Sequence, residues 1–85
     1  MGNVEGMIGR KTIATTPGER GVYDPELVYA RIHWISRSDL HYVVVPGGRI
    51  TPGDLEVVYD ESVGSLVFAT EFNVGEKINV VYEIP

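Results

Sequence analysis

The chain has 85 residues, no cysteine and a hydrophobic fraction of 44%, which indicates one small globular domain and excludes disulfides and thiolate metal sites. Its net charge of −5 disfavours nucleic-acid binding, because an acidic surface repels the phosphate backbone. No apolar run approaches the ~20 residues of a membrane-spanning helix, so we expect no membrane partner.

The charge is unevenly distributed along the chain. Residues 1–37 hold five basic and four acidic side chains, whereas residues 38–85 hold two basic and eight acidic ones. Two interpretations stay open: the asymmetry is accidental, or a mildly basic N-terminal region docks on an acidic neighbour and so sets orientation and association rate.

Residues 1–16 are predicted to form an extended N-terminal arm, and residues 17–85 the folded domain. Three glycines in residues 1–9 raise the entropic cost of ordering this segment. Lys11–Thr16 alternates and is rich in β-branched residues, but Ile13 is its single large apolar side chain. This pattern is typical of an edge strand or an arm.

The segment after Asp24 has two possible structures. Asp24 as N-cap, Pro25 at the first position and Glu26 in the first turn favour a short helix. The following residues to Ile35 are β-branched and aromatic, and they alternate in the manner of a strand, which we favour. In such a strand the apolar residues of one face would point into the core, including the tryptophan. These residues are Val28, Ala30, Ile32 and Trp34.

A polar hairpin loop is predicted at Ser36–Asp39. The next strand, His41–Val45, is a continuous apolar run, which favours burial on both of its faces. Pro46 and the two glycines that follow it end this strand.

The last third of the chain has the clearest pattern. Strands are predicted at Leu55–Tyr59, Leu66–Thr70 and Lys77–Ile84, with Gly64 supplying a positive φ in the hairpin between the first two. Alternation places five side chains inward: Leu66, Phe68, Ile78, Val80 and Tyr82. Val67 and Val81 would point outward on neighbouring strands and form an exposed apolar stripe, which usually marks a partner surface. In a closed two-sheet sandwich, the N-terminal arm would instead cover them.

These elements predict an all-β fold, namely a compact antiparallel β-sandwich or small barrel of about six or seven short strands with an extended N-terminal arm. Seven residues are predicted to contact partners. Five lie in the N-terminal arm, and two lie in the predicted strand that follows Asp24. They are Met7, Ile8, Arg10, Lys11, Ile13, Tyr29 and Arg31.

No residue pattern indicates catalysis, a metal or a cofactor. His33 and His41 would need a third ligand such as Asp39 to hold a metal, and surface imidazoles are the simpler interpretation. Four carboxylates near turns suggest calcium, but solvation of a hairpin tip explains them more simply. These carboxylates are Asp54, Glu56, Asp60 and Glu61. We therefore expect a non-enzymatic protein.

The stretch that begins at Gly53, GDLEVVYDESVGSLVFATEFNVGEKINVVYEI, resembles the closing strands of β-sandwich modules in bacteriophage head-decoration (cement) proteins and in tail, collar or fibre subunits. The resemblance implies a virion structural protein, made in the host cytoplasm and present as a homo-oligomer or in repeated copies. Its partners would be other virion proteins, either the major capsid protein or tail subunits. A capsid decoration subunit that bridges neighbouring capsid proteins is the favoured function.

Two other functions stay open. One is a carbohydrate-binding module in which Trp34 or Tyr29 stacks on sugar rings, flanked by Asp39 or Asn73. The other is a small cytoplasmic regulator that binds a partner protein, for which no residue pattern argues.

Overall fold

The computed structural model describes residues 7–47 and 49–84, and within these ranges the all-β prediction is confirmed. Seven strands form one nearly closed, barrel-like sheet in the order β1-β7-β3-β4-β5-β6-β2. The strands are β1 (Met7–Ala14), β2 (Gly21–Tyr23), β3 (Arg31–Arg37), β4 (Leu40–Pro46), β5 (Glu56–Asp60), β6 (Ser65–Phe68) and β7 (Lys77–Ile84), with one 3-10 turn at Pro25–Leu27.

One strand pair departs from the predicted antiparallel arrangement, because β4 and β5 run parallel. The other five pairs are antiparallel. A parallel pair needs a connection that returns along the strands rather than a tight hairpin. The described part of this connection, residue 47 and residues 49–55, contains the turn signal Pro52-Gly53.

Strand β1 occupies part of the predicted arm. It pairs with β7 over its whole length, from Met7 opposite Ile84 to Ala14 opposite Lys77, and β1 stands at one end of the strand order. Residues 7–14 are therefore an edge strand, one of the two forms that the alternation allows. The part of the arm prediction that concerns residues 1–6 lies outside the described residues.

The segment after Asp24 contains both predicted structures in succession. The Asp24 side chain accepts a hydrogen bond from the Glu26 amide at 2.9 Å, as an N-cap does, but the helix lasts only one 3-10 turn. Tyr29 then adopts a positive φ of 53°, and strand β3 begins two residues later, at Arg31.

The prediction that Trp34 belongs to the core is wrong. Strand β3 has a register shift between Ile32, opposite Tyr82, and Trp34, opposite Val81. This β-bulge inserts one extra residue, so every later side chain changes face. Trp34 is consequently 38% exposed, and Ile35 is fully buried in its place.

Two further predictions on outward faces need correction. Strand β4 is not buried on both faces along its whole length. Tyr42 and Val44 pack against the core on one face, whereas on the other face Val43 is 63% exposed and Val45 is buried. Val67 and Val81 both point away from the core, but β3, β4 and β5 separate their strands. They form no common stripe, because β7 pairs with β1 and β3 rather than with β6.

The predicted core of the last third is confirmed. All five inward side chains are buried, with at most 4% exposure. They pack with Leu27, Ile35 and Val57 in one cluster. The hairpin between β5 and β6 turns at Gly64, whose φ is 71°.

A buried arginine, which the sequence pattern does not single out, closes one end of the barrel. Arg37 is 4% exposed, donates to the backbone carbonyls of Thr70 and Glu71, and lies 3.0 Å from a Glu76 carboxylate oxygen. Its guanidinium also stacks 4.8 Å from the ring centroid of Phe72. The hydrogen bond from Arg37 holds the pKa of Glu76 at about 2, so this pair is ionised at neutral pH.

Candidate functional site

An exposed apolar cluster lies where the β5–β6 turn packs against the loop that contains the 3-10 turn. We call it the end patch. Its four members are 37–71% exposed, namely Tyr23, Val28, Tyr29 and Val63. Backbone hydrogen bonds join the two segments: the Asp24 amide donates to the Gly64 carbonyl at 3.0 Å, and the Tyr29 amide donates to the Glu61 carbonyl at 2.9 Å.

Tyr59 fixes the loop that presents Tyr29. Its hydroxyl accepts a hydrogen bond from the Ala30 amide at 3.0 Å and donates to the Leu27 carbonyl. Burial raises the pKa of Tyr59, so the hydroxyl stays protonated and able to donate. The residues on both sides of the Tyr29 backbone are therefore held to the barrel.

Tyr29 combines strain with exposure. Its φ of 53° lies in the left-handed region, where a bulky residue is an outlier and persists only if its surroundings enforce it. Its side chain is nevertheless 58% exposed. The fold thus holds the backbone of an exposed aromatic residue in one fixed conformation, which reduces the cost of ordering this residue on binding.

The surroundings of the end patch are mostly acidic. Asp60 and Glu61 are exposed in the adjoining turn. A groove of about 430 Å³ is lined by Tyr29, Ala30, Arg31, Glu61 and Glu83. The structure therefore brings two predicted partner residues, Tyr29 and Arg31, to one groove.

The other five predicted partner residues lie on β1, and the first three along the strand are Met7, Ile8 and Arg10. Ile8 is 60% exposed and stands opposite Glu83, which also faces Arg31 across β7. Arg10 is exposed in the next outward row, opposite Val81. Of Met7, the structure describes the backbone pairing with Ile84.

Lys11 and Ile13 serve the fold itself. Lys11 forms ion pairs with Asp24 at 2.6 Å and Glu26 at 3.0 Å, which raise its pKa. Glu26 in turn accepts a hydrogen bond from the Tyr82 hydroxyl at 2.9 Å, and Ile13 packs against the core. These contacts link the edge strand to the 3-10 turn.

The edge of β1 that faces away from β7 is a second candidate surface. Within residues 7–47 and 49–84, β1 pairs with β7 alone, and no further backbone hydrogen bond to its residues is present. An edge strand of eight residues can accept a strand from another chain.

Both histidines and one of the four candidate carboxylates contact other side chains. His33 lies 2.9 Å from Glu83, while His41 packs edge-on against Trp34 with 4.8 Å between ring centroids. Glu56 pairs with Arg49 at 3.0 Å. In the described part of the chain, no group of three or more histidine or acidic side chains is arranged to hold a metal.

Sequence reasoning did not select three members of the end patch. Val28 is predicted as an inward strand position, but it is 37% exposed and lies in the loop before β3. Tyr23 and Val63 flank turn signals and lie outside the long alternating strands. An apolar residue beside a turn is the sequence feature that could have identified these members, because such a side chain contributes little to the pattern of either sheet face.

None of the helices among the described residues is long and apolar enough to cross a membrane. Comparison of the chain with protein-family models, with curated proteins and with solved structures finds no match.

Proposed function

We propose that this chain is a non-enzymatic structural protein of a bacteriophage virion, and specifically a capsid decoration subunit that bridges neighbouring capsid proteins. The observation that carries the proposal is the end patch. Exposed aromatic side chains on a well-held backbone are common anchors of protein interfaces. The resemblance of the last third to virion modules supplies the class of partner.

The acidic side chains around the end patch predict a basic partner surface. Asp60 and Glu61 are exposed beside Tyr29 and Val63. A capsid surface with an apolar centre and a rim of lysine or arginine complements this arrangement, and such complementarity mainly raises the association rate. Binding is therefore expected to slow as salt increases.

The free edge of β1 supports a bridging role, because a bridge needs contacts with two neighbours. The end patch would engage one capsid protein, and β1 would accept an extended segment from the next by strand addition. Arg10 lies near the centre of β1 and is exposed. It favours an incoming segment that carries acidic residues, because opposite charges on paired strands attract.

Tyr29→Asn is expected to weaken binding to phage heads assembled without this protein by at least tenfold. Asparagine tolerates the left-handed backbone of this position, so the change removes the aromatic ring without new strain. The matched control is Val74→Asn, since Val74 is 88% exposed in the loop that follows the opposite end of β6. Co-sedimentation with heads measures both variants.

Equal binding of the two variants would contradict the role of the end patch. Binding to isolated tails but not to heads would instead favour a tail, collar or fibre subunit.

A further inference from the structure

The β-bulge in β3 determines where the only tryptophan of the chain lies. Without the extra residue between Ile32 and Trp34, alternation would place Trp34 among the core side chains. With it, Trp34 stands on the outer face opposite Val81. Bulges often re-aim a side chain next to a functional site. The outward indole is not part of the hydrophobic core cluster.

Trp34 forms one side of an open groove of about 330 Å³ on the outer face of β1, β7 and β3. This volume lies at the small end of the range for small-molecule sites, about 300–1,000 Å³. Thr12, Asn79 and Arg10 line the groove beside the indole. An edge contact with His41 holds the indole, with 68° between the ring planes.

The polar groups of the groove are mainly hydrogen-bond donors. Thr12 donates its hydroxyl proton to the Asn79 side-chain oxygen at 2.9 Å, which leaves the Asn79 amide NH₂ to donate. Arg10 is exposed, and it makes no ion pair within the described ranges. The groove therefore suits a ligand that is rich in acceptors and negatively charged.

We propose that this groove binds a saccharide that carries a carboxylate. The apolar C–H face of a pyranose ring would stack on Trp34, its hydroxyl oxygens would accept from Asn79, and its carboxylate would pair with Arg10. These partners replace the predicted flanking residues, since neither Asp39 nor Asn73 lines the groove. The site is separate from the end patch and does not depend on the proposed capsid function.

The test titrates the full chain with oligogalacturonate and with sialyllactose and follows the fluorescence of Trp34. We expect a saturable change with at least one of these sugars, weakened at least tenfold by Arg10→Gln and by Asn79→Ala. The matched control, Asn73→Ala, is expected to bind like the original chain, because Asn73 is exposed in the loop before β7. Circular dichroism verifies that each variant is folded.

Three results would overturn the proposal: no response to either acidic sugar, equal binding by the Asn79→Ala and Asn73→Ala variants, or equally tight binding of neutral lactose. A response to a mononucleotide alone would also overturn it, because the groove would then recognise a base and a phosphate. Head binding by the Tyr29→Asn variant is a separate measurement, so failure of one proposal leaves the other intact.

Discussion

Replacing Gly64 with alanine is expected to unfold most of the protein, whereas the same replacement at Gly75 lowers stability only modestly. Both glycines have positive φ, 71° and 77°, and a left-handed backbone costs alanine about 1–2 kcal/mol. The two positions differ in their surroundings. A Cβ at Gly75 would have nothing within 4 Å, while one at Gly64 would overlap the Asp24 carbonyl and lie 3.1 Å from the Val28 nitrogen.

The clash at Gly64 cannot be relieved by a side-chain rotation, because its neighbours are backbone atoms. Overpacking of this kind adds roughly 1–3 kcal/mol, so the expected loss at Gly64 is about 2–5 kcal/mol. A domain of this size has about that much stability in total. Urea denaturation followed by far-UV circular dichroism measures the difference, and similar midpoints for the two variants would show that the turn and the loop do not pack as described.

The Gly64→Ala and Gly75→Ala variants also test the end patch. The backbone contact at Gly64 is the place where the β5–β6 turn meets the loop that presents Tyr29. If a partly folded Gly64→Ala variant is obtained, we expect weaker head binding from it than from Gly75→Ala.

Glu76→Gln is expected to lower the free energy of unfolding at pH 7 by about 3 kcal/mol, because it leaves the buried Arg37 charge without its anion. The Glu76 side chain is 9% exposed and that of Arg37 5% exposed. The matched control is Glu71→Gln. Glu71 has an exposed side chain, and a surface change of this kind alters stability by about 0.5 kcal/mol or less.

The same pair predicts a pH dependence with a definite sign. The pKa of Glu76 is about 2 in the folded chain, below its ordinary value of 4.5, so the unfolded chain binds the proton more tightly. The stabilisation is complete above about pH 4.5 and is lost as the pH falls towards about 2. This pKa difference between the folded and the unfolded chain corresponds to about 3 kcal/mol of folding free energy.

The stability gap between the original chain and Glu76→Gln should therefore narrow as the pH is lowered from 5 towards 2. Asp24 and Glu26 also have lowered pKa values, but both proteins share them, so the gap isolates Glu76. A gap that stays constant over this range would contradict the ion pair. Replacing Arg37 and Glu76 together with methionine should recover much of the loss, because no buried charge remains unpaired.

The sequence by itself determines the strands whose pattern is continuous. The predicted bounds of β7 agree with the structure, and the inward set of β6 and β7 is buried as expected. Alternation along one strand is a local property, because successive side chains point to opposite faces whatever the partner strand is. Gly64 is equally local, since a positive φ in a tight hairpin favours glycine.

The tertiary structure decides which strands become neighbours and where alternation is interrupted. The bulge before Trp34 exists in the pairing of β3 with β7, and nothing in the residues around Trp34 marks it. The burial of Arg37 likewise depends on carbonyls and a carboxylate supplied by residues 70–76. The end patch and the Trp34 groove both arise from such contacts between distant segments. The residue pattern therefore identifies the fold class and the exposure of Tyr29, while the pairing of strands places Trp34 on the surface.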